Sequence, residues 1–240
     1  MSCGFIYIAS NNVGGIKEND YISEAIFSAK SLKKYNPDVN ITLITDKKID
    51  NKIFDNIIIE KLSLRCKQYF LFEKTPYEKT IYIDTDTKIN DKITHLFKLM
   101  DKFDVLAVND YARKRILPIP EYMEIPDGFS EVNGGVFCFK KNDKVKKMFD
   151  IWIKFYNKYK KILPWDQPSF RIALWESNVN LYLLPLEYNR RGKHTKQKCI
   201  NCKKNKDPRF PYNHLNTKIY HFHGLEKMSL EEIEQKAQDY

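Results

Sequence analysis

Two carboxylates stand one residue apart in the segment IYIDTDTKI, which covers residues 81–89. Asp84 and Asp86 follow a short apolar run, so they leave the end of a predicted strand together and can converge on one divalent cation. Hard cations of this kind prefer oxygen ligands, remain partly hydrated and can hold a diphosphate. The alternative is a structural role as turn residues before the loop 88–90. The triplet alone leaves both interpretations open.

Asn133, Gly134 and Gly135 stand directly before a second apolar run, residues 136–139. One interpretation is a turn in which glycine adopts a positive φ. The other is a close approach of the backbone to a ligand, with Asn133 as a polar contact. These residues alone favour the turn.

Two more segments place polar residues at predicted element boundaries. Asp166 precedes an apolar helical pattern and is a suitable helix N-cap, which is the structural expectation for it. His221 and His223 alternate with aromatic residues in KIYHFHG, residues 218–224, so both point to the same side of a strand. A lone histidine on a strand is usually structural. Two on one side, followed by a glycine and by Lys227, favour a site.

Strands and helices alternate along the chain around these residues. Apolar runs that end at polar or acidic residues predict strands at 5–10, 41–46, 56–62, 81–84, 105–110, 136–139 and 218–224. Helical spacing of apolar residues predicts helices over 20–36, 65–74, 143–160 and 169–176. This alternation is typical of an α/β fold with a mostly parallel central sheet and helices on both faces. In such folds ligands bind outside the carboxyl ends of the strands.

The composition bounds the class of protein. With 240 residues, 42% of them hydrophobic, the chain can fill one core, and we expect a single domain over residues 1–240. No apolar run reaches the roughly 18 to 20 residues of a membrane span, and the N-terminus lacks a basic signal-peptide region, so we expect a soluble, cytoplasmic protein. The formal net charge of +10 favours anionic partners. Residues 190–209 hold nine Lys or Arg and one acidic residue, which predicts an exposed basic loop.

Taken in order, the motifs resemble the retaining A-type (GT-A) glycosyltransferases, in particular the glycogenin and lipopolysaccharide galactosyltransferase family (glycosyltransferase family 8). The resemblance rests on IYIDTDT, on VNGGVF, on Trp165-Asp166-Gln167 and on residues 221–227, which fit the family's pattern H-x-x-G-x-x-K. Each motif is short, but their order spans nearly the whole chain. The resemblance implies a GT-A, Rossmann-like fold.

The resemblance also implies a metal site. Asp84, Asp86 and His221 would bind Mn²⁺ or Mg²⁺, and the imidazole ligand favours manganese. Gly224 and Lys227 would face the diphosphate of a nucleotide sugar.

Other residues would hold the donor sugar or the nucleoside. The residues that resemble the family's sugar-facing wall and reacting centre are Asn133, Gly134, Asp166 and Gln167. The end of the first strand would form the nucleoside edge, with Ala9, Ser10 and Asn12. Lys67 and Arg65 could reach the donor from the neighbouring helix, although a solvated basic face is the default for such residues.

A member of this family would move a sugar from a nucleoside-diphosphate sugar, expected to be a UDP-sugar, to a hydroxyl of a glycan, protein or lipid acceptor. The metal and Lys227 would stabilise the negative charge that develops on the leaving diphosphate. Same-face attack with retention of the anomeric configuration is expected, and no general base is identifiable. The chain departs from the family at Val13, where relatives commonly carry a base-contacting tyrosine, and at Met228-Ser229, so the nucleobase stays open.

Two other functions compete with sugar transfer. The basic charge and the many Tyr and Phe residues are also typical of nucleic-acid-binding proteins, although most of the aromatics fall at core positions. A sugar nucleotidyltransferase also pairs carboxylates with a metal, but residues 11–15 are a poor version of its Gly-rich phosphate loop. We therefore expect no nucleic-acid partner.

The five cysteines are scattered, which does not suit a disulfide framework. Cys199 and Cys202, flanked by His194 and His214, could bind zinc. Because no second Cys pair exists, two reduced thiols are the expectation.

Overall fold

The computed structural model describes residues 1–11, 20–62, 67–191, 217–222 and 232. Its strands are β1 (Cys3–Ala9), β2 (Asn40–Thr45), β3 (Asn56–Ile59), β4 (Lys79–Ile83), β5 (Thr87–Ile89), β6 (Val105–Asn109), β7 (Val132–Lys140), β8 (Leu181–Leu184), β9 (Arg190–Arg191) and β10 (Ile219–His221). Each predicted strand is present, but β7 begins four residues earlier than predicted. It therefore includes the Asn-Gly-Gly segment.

The helices are α1 (Tyr21–Tyr35), α2 (Lys67–Lys74), α3 (Leu96–Leu99), α4 (Pro120–Met123), α5 (Asp143–Tyr159) and α6 (Gln167–Glu176), and Leu186–Tyr188 forms a 3₁₀ turn. Asp20 caps α1, because its side chain accepts from the N–H of Ser23 at 3.0 Å. The helix ends before Pro37, as predicted.

The large sheet has the strand order β3-β2-β1-β4-β7-β6-β8. Strands β1 to β4 pair in parallel, and β6 pairs in parallel with β8. Between them, β7 runs antiparallel to both β4 and β6. The predicted mixed, mostly parallel α/β sheet is confirmed. The ends of β1, β4 and β6 and the start of β7 therefore meet at one edge of the sheet, where ligands bind in such folds.

Hydrophobic clusters cover both faces of this sheet. On one face, α1 packs over buried residues such as Phe5 and Leu43. On the other face, α5 and α6 pack over Phe137, and the rings of Trp152 and Phe170 stack with centroids 4.1 Å apart. Burying an aromatic side chain of this size contributes about 3 kcal/mol. The stacked pair fixes the start of α6 at the ligand-binding edge.

The small sheet, in the order β5-β10-β9, joins distant parts of the chain. Strand β10 pairs antiparallel with β5, so that His221 lies opposite Thr87. The N–H of Phe222 donates to the carbonyl of Asp86 at 2.7 Å. This pairing brings His221 to the carboxyl end of β4.

No helix in the described ranges is long and apolar enough to cross a bilayer. Cys3 and Cys138 are free cysteines. The possible zinc group at Cys199 and Cys202, together with His194 and His214, lies outside the described residues.

Candidate active site

The segment after β4 is anchored through its threonines. Thr85 donates to Glu24, a buried residue of α1, at 2.6 Å. Thr87 donates to the carbonyl of Asp84 at 3.0 Å. These bonds hold the backbone that carries Asp84 and Asp86, so the alternation of Asp and Thr in this segment positions both carboxylates.

His221 completes a three-residue cluster with the two carboxylates. Its Nε2 lies 3.0 Å from Oδ1 of Asp86 and 3.8 Å from Oδ2 of Asp84. One possible ligand atom from each residue lies within 4.8 Å of the others. The structure thus brings together the three residues expected to hold a metal.

A chain of hydrogen bonds fixes which nitrogen of His221 carries the proton. The N–H of Gly135 donates to Asn133 at 2.9 Å, which identifies the accepting atom as the amide oxygen Oδ1. The same oxygen accepts from Nδ2 of Asn189 at 2.8 Å. The remaining amide oxygen of Asn189 lies 2.8 Å from Nδ1 of His221, which must donate to it. In the neutral imidazole, Nε2 is therefore the unprotonated nitrogen. It faces the carboxylate of Asp86, which is also an acceptor.

This arrangement fits a bound cation. An unprotonated nitrogen and two carboxylates that face one another are three electron-pair donors, and a cation between them would offset their mutual repulsion. Carboxylate oxygens suit Mg²⁺ and Mn²⁺, whereas imidazole suits transition metals, so the donor set fits manganese better than magnesium. The amide of Asn189 supplies the outer hydrogen bond that orients a metal-binding histidine.

The glycines of the Asn-Gly-Gly segment lie inside β7, and neither has a positive φ, so the predicted turn is wrong. Crowding explains the second glycine. A Cβ on Gly135 would lie 2.3 Å from Cε1 of His221 and 2.6 Å from Oδ2 of Asp84. The carbonyl of Gly135 also accepts from the N–H of Asp84 at 2.7 Å. The alternative interpretation, a close backbone approach, therefore holds, with the metal-site side chains as the neighbours.

Lys67, the first residue of α2, reaches the same edge. Its Nζ donates to the carbonyl of Gly134 at 2.8 Å and lies 3.4 Å from Asp166 and 3.9 Å from Asp84. Its side chain is only 13% exposed, so the default of a solvated basic residue is wrong here.

The charges of this group support one another. Burial acts to lower the pKa of Lys67, but the carboxylates of Asp166 and Asp84 raise it above its usual value. Burial acts to raise the pKa of Asp84, but the ammonium of Lys67 and the hydroxyl of Tyr82 help to hold it below its usual value. The ammonium and the carboxylate are therefore both charged at neutral pH.

Asp166 occupies the position before α6, but its side chain makes no capping hydrogen bond, so the expected capping role is wrong. The carboxylate lies beside Lys67 instead. The carbonyl of Asp166 accepts from Nε1 of Trp152 at 3.0 Å and from Oγ of Ser169 at 2.7 Å. These two bonds stabilise the start of α6 without the side chain.

Gln167 is held at both ends of its amide. Its Oε1 accepts from the N–H of Gly134 at 3.3 Å and lies 3.4 Å from Nδ2 of Asn133. Its Nε2 donates to Oε1 of Glu131 at 2.6 Å. The amide therefore has one fixed orientation beside Asn133.

Glu131, a residue without a predicted role, anchors this amide. Its side chain is fully buried, accepts from Oη of Tyr122 at 2.7 Å and pairs with Arg115. Burial raises the pKa of Glu131, although Gln167, Tyr122 and Arg115 act in the opposite direction. Glu131 positions Gln167 without itself contacting Asp84, Asp86 or His221.

Asp110, directly after β6, is another buried carboxylate at this edge. It accepts from Nδ2 of Asn133 at 3.1 Å and from the N–H of Ala112 at 2.9 Å, and it pairs with Arg191 at 3.3 Å. Burial acts to raise the pKa of Asp110, but these donors and arginines hold it below its usual value. The polar end of this strand is visible in the sequence, but its role is not.

Ala9 and Ser10, the expected nucleoside edge, are buried at the end of β1. Because Ile6 lies opposite Tyr82, β1 ends beside the end of β4. The hydroxyl of Ser10 donates to Asp46 at 2.5 Å. The other expected site residues, Asn12, Arg65, His223, Gly224 and Lys227, lie outside the described residues.

Two contacts of the Asp84, Asp86 and His221 group were not predicted. The hydroxyl of Tyr82 donates to Asp84. Since residues two apart share a face of a strand, the pattern Tyr-Ile-Asp could have indicated this contact. No sequence signal marks Asn189, which follows the 3₁₀ turn and contacts His221 only through the tertiary fold.

The fold and the site define a GT-A glycosyltransferase. Residues 77–224, more than half of the chain, match the family described as Nucleotide-diphospho-sugar transferase, and the chain belongs to this family. This membership confirms the resemblance drawn from the motifs. It favours sugar transfer over the two competing functions, nucleic-acid binding and nucleotidyl transfer.

Solved structures share the fold. The galactosyltransferase LgtC, in complex with donor and acceptor sugar analogues, has a TM-score of 0.63 at 13% identity, over 98% of this chain and 93% of that one. The glycosyltransferase GlyE of Streptococcus pneumoniae TIGR4 has a TM-score of 0.59 at 16% identity, over 95% and 56%. Mouse xyloside xylosyltransferase 1 has a TM-score of 0.56 at 11% identity, over 94% and 99%. No curated protein matches the chain by sequence.

Proposed function

We propose that the protein transfers a sugar from a UDP-sugar to an acceptor hydroxyl in a reaction that depends on a divalent metal and retains the anomeric configuration. The observation that carries this proposal is the cluster of Asp84, Asp86 and His221 at the carboxyl end of β4, in a chain of the nucleotide-diphospho-sugar transferase family. The acceptor is a glycan, a protein or a lipid.

Asp84, Asp86 and His221 would hold the ion, with Mn²⁺ preferred over Mg²⁺ because of the imidazole. The ion would supply positive charge for binding the diphosphate and for stabilising it as the leaving group. Asn189 keeps His221 in the tautomer that can bind a metal.

Lys67 provides a second positive charge for the donor. It is mostly buried and is held by the carbonyl of Gly134 and the carboxylate of Asp166, so its ammonium is oriented before substrate arrives. A charge that needs no reorganisation stabilises developing negative charge more strongly than a mobile one. The family resemblance implies that Gly224 and Lys227 would face the same diphosphate, and that Ala9, Ser10 and Asn12 would contact the nucleoside.

Asn133, Asp166 and Gln167 would face the sugar and its reacting carbon. The amide of Gln167 is a poor nucleophile, and the carboxylate of Asp166 is engaged by Lys67. Neither residue is therefore suited to form a covalent glycosyl intermediate. We infer attack by the acceptor hydroxyl on the face from which the diphosphate leaves, with the departing phosphate accepting the proton.

The test is a panel of nucleotide sugars incubated with the protein in MnCl₂ or in EDTA, with release of nucleoside diphosphate as the readout. We expect Mn²⁺-dependent release from one donor, a UDP-sugar. Proton NMR of the product then compares its anomeric configuration with that of the donor. Release at full rate in EDTA would contradict metal dependence, and an inverted product or a glycosyl adduct on Asp166 would contradict the mechanism.

A further inference from the structure

A cavity of about 360 Å³ opens beside the metal cluster. Its wall includes Asn133 and Asn189, the two amides that connect Gly135 to His221. Asn133, which would face the donor sugar, is thus shared between this cavity and the donor site. A molecule in the cavity would lie beside the reacting carbon, and this position suits the acceptor.

Arginines dominate the charge of this cavity. Its wall carries Arg113, Arg190 and Arg191 against two carboxylates, Asp110 and Glu187. Asp110 is buried and already pairs with Arg191 at 3.3 Å. Among the residues that the structure describes, neither Arg113 nor Arg190 forms an ion pair. Once Asp110 and Arg191 are paired, two guanidinium groups and one carboxylate, that of Glu187, remain at the cavity, which leaves it with a net positive charge.

Arg113 is fixed in an unusual backbone conformation. Its φ is 54°, in the left-handed region that few residues other than glycine adopt. Its N–H donates to the carbonyl of Asp110 at 3.3 Å, and its carbonyl accepts from the N–H of Glu131 at 2.5 Å. Strain of this kind persists where the surroundings over-determine the backbone, often at ligand sites. The segment that carries Arg113 is therefore built into the active-site network.

Arg190 approaches the cavity from β9. Its Nη1 donates to Oγ1 of Thr217 at 2.9 Å, whereas its Nε is buried without an acceptor in the described part of the chain. A buried donor without an acceptor is costly, and a neighbouring anion offsets that cost. The side chain is thus anchored at one nitrogen and electrostatically unsatisfied.

We propose that this cavity binds the acceptor and that the acceptor carries an anionic group, a phosphate or a carboxylate, held by Arg113 and Arg190. Guanidinium groups bind both kinds of oxyanion through paired, charge-assisted hydrogen bonds. The carboxylate of Glu187 can accept a hydrogen bond from a sugar hydroxyl. The inference rests on the proposed function and narrows its acceptor to acidic sugars, such as a sugar phosphate or a uronic acid.

The test measures binding to protein that is already saturated with UDP and Mn²⁺, so that the donor site is filled. The probes are glucose, glucose 6-phosphate and glucuronic acid, and the readout is the probe concentration that gives half of the maximal thermal shift. We expect at least one anionic probe to bind about tenfold or more tightly than glucose, as for a charge-assisted hydrogen bond. The phosphate and carboxylate probes distinguish the two sources of the anion.

Variants of the two arginines test whether the anionic probe binds in this cavity. Arg113→Gln, at an exposed side chain, and Arg190→Gln should each reduce the preference for the anionic probe by about tenfold. Lys52→Gln removes the same charge from the exposed loop before β3 and is the matched control. Arg113→Gln alone decides the test if Arg190→Gln does not fold.

Equal half-shift concentrations for all three probes, or no shift with any of them, would overturn the inference while UDP and Mn²⁺ still stabilise the protein. An anionic preference that survives Arg113→Gln would also overturn it. Failure of UDP and Mn²⁺ to stabilise the protein would overturn the proposed function together with the inference.

Discussion

Replacing Gly135 by alanine should displace the side chains of Asp84 and His221, the expected metal ligands, while the rest of β7 stays paired. The added Cβ would lie 2.3 Å from Cε1 of His221 and 2.6 Å from Oδ2 of Asp84, whereas ordinary contact begins at 3.4 Å. The shortfalls are about 1.1 Å and about 0.8 Å. Neither neighbour is a free end, because Asn189 holds the ring of His221 and Gly135 itself binds the N–H of Asp84.

These displacements exceed what a metal site tolerates, since ligand distances are defined to about 0.2 Å. We expect the affinity for Mn²⁺ to fall by about 100-fold or more, at least as much as when an outer-shell partner is lost. Overpacking should also lower the free energy of unfolding by about 1–3 kcal/mol. The two effects are separable, because the first depends on metal and the second does not.

The assay compares the thermal stabilisation produced by MnCl₂ and the Mn²⁺-dependent release of nucleoside diphosphate. Gly128→Ala is the control, because a Cβ there meets no atom within 4 Å. Gly134→Ala should be tolerated better than Gly135→Ala, since the shortest contact of its Cβ would be 3.2 Å, to Nζ of Lys67. If Gly135→Ala binds Mn²⁺ as tightly as the wild type, the crowding argument is wrong.

Three further predictions concern charges. Lys67→Gln should lower kcat/KM for the donor by about 100-fold in the diphosphate-release assay, because the substitution removes an oriented charge. Lys52→Gln is the control. An unchanged kcat/KM would show that Lys67 does not contribute to the donor site. Glu131→Ala should lower kcat more than it raises the donor KM and should cost about 1–3 kcal/mol of stability, because Gln167 loses its anchor and Arg115 loses one of its two carboxylate partners. A change in donor KM alone would contradict the positioning role. Burial acts to raise the pKa of Asp104, but the N–H of Asn180, the amide of Asn142 and Lys140 hold it below its usual value. The ionised carboxylate therefore stabilises the fold at neutral pH, and this stabilisation is lost as the pH falls through the folded pKa. Chemical denaturation should therefore show that the free energy of unfolding of the wild type falls below about pH 4, and that it falls less steeply for Asp104→Asn. The same dependence on pH in both proteins would refute this assignment.

The fold was predictable because its elements are encoded locally. Apolar runs marked seven of the ten described strands, but not β5, β8 or β9. The N-cap Asp20 and the break at Pro37 marked the limits of α1. The start of β7 was not predictable in the same way. Gly134 and Gly135 are typical of a turn in sequence, and only the proximity of His221 shows that the second glycine makes room inside a strand.

The candidate site was predictable where motifs are contiguous. Asp84 and Asp86 stand at a strand end, whereas the link to His221 needs the antiparallel pairing of β10 with β5, two segments far apart in the chain. The N-cap position of Asp166 was correct and its capping role wrong, because Lys67 attracts a carboxylate that would otherwise bond the helix. Tertiary electrostatics of this kind leaves no local sequence pattern.

We propose that Asp84, Asp86 and His221 hold a metal that the transfer of sugar requires. The most direct measurement is the release of nucleoside diphosphate from the preferred donor by wild type and by Asp86→Asn, each titrated with Mn²⁺. We predict that the wild-type rate rises with Mn²⁺ and is abolished by EDTA, and that the folded Asp86→Asn variant is slower by about 100-fold or more, as for loss of a metal ligand at a site that stabilises leaving-group charge. A wild-type rate that does not depend on Mn²⁺, or an Asp86→Asn variant with the wild-type rate and the wild-type Mn²⁺ dependence, would contradict the account.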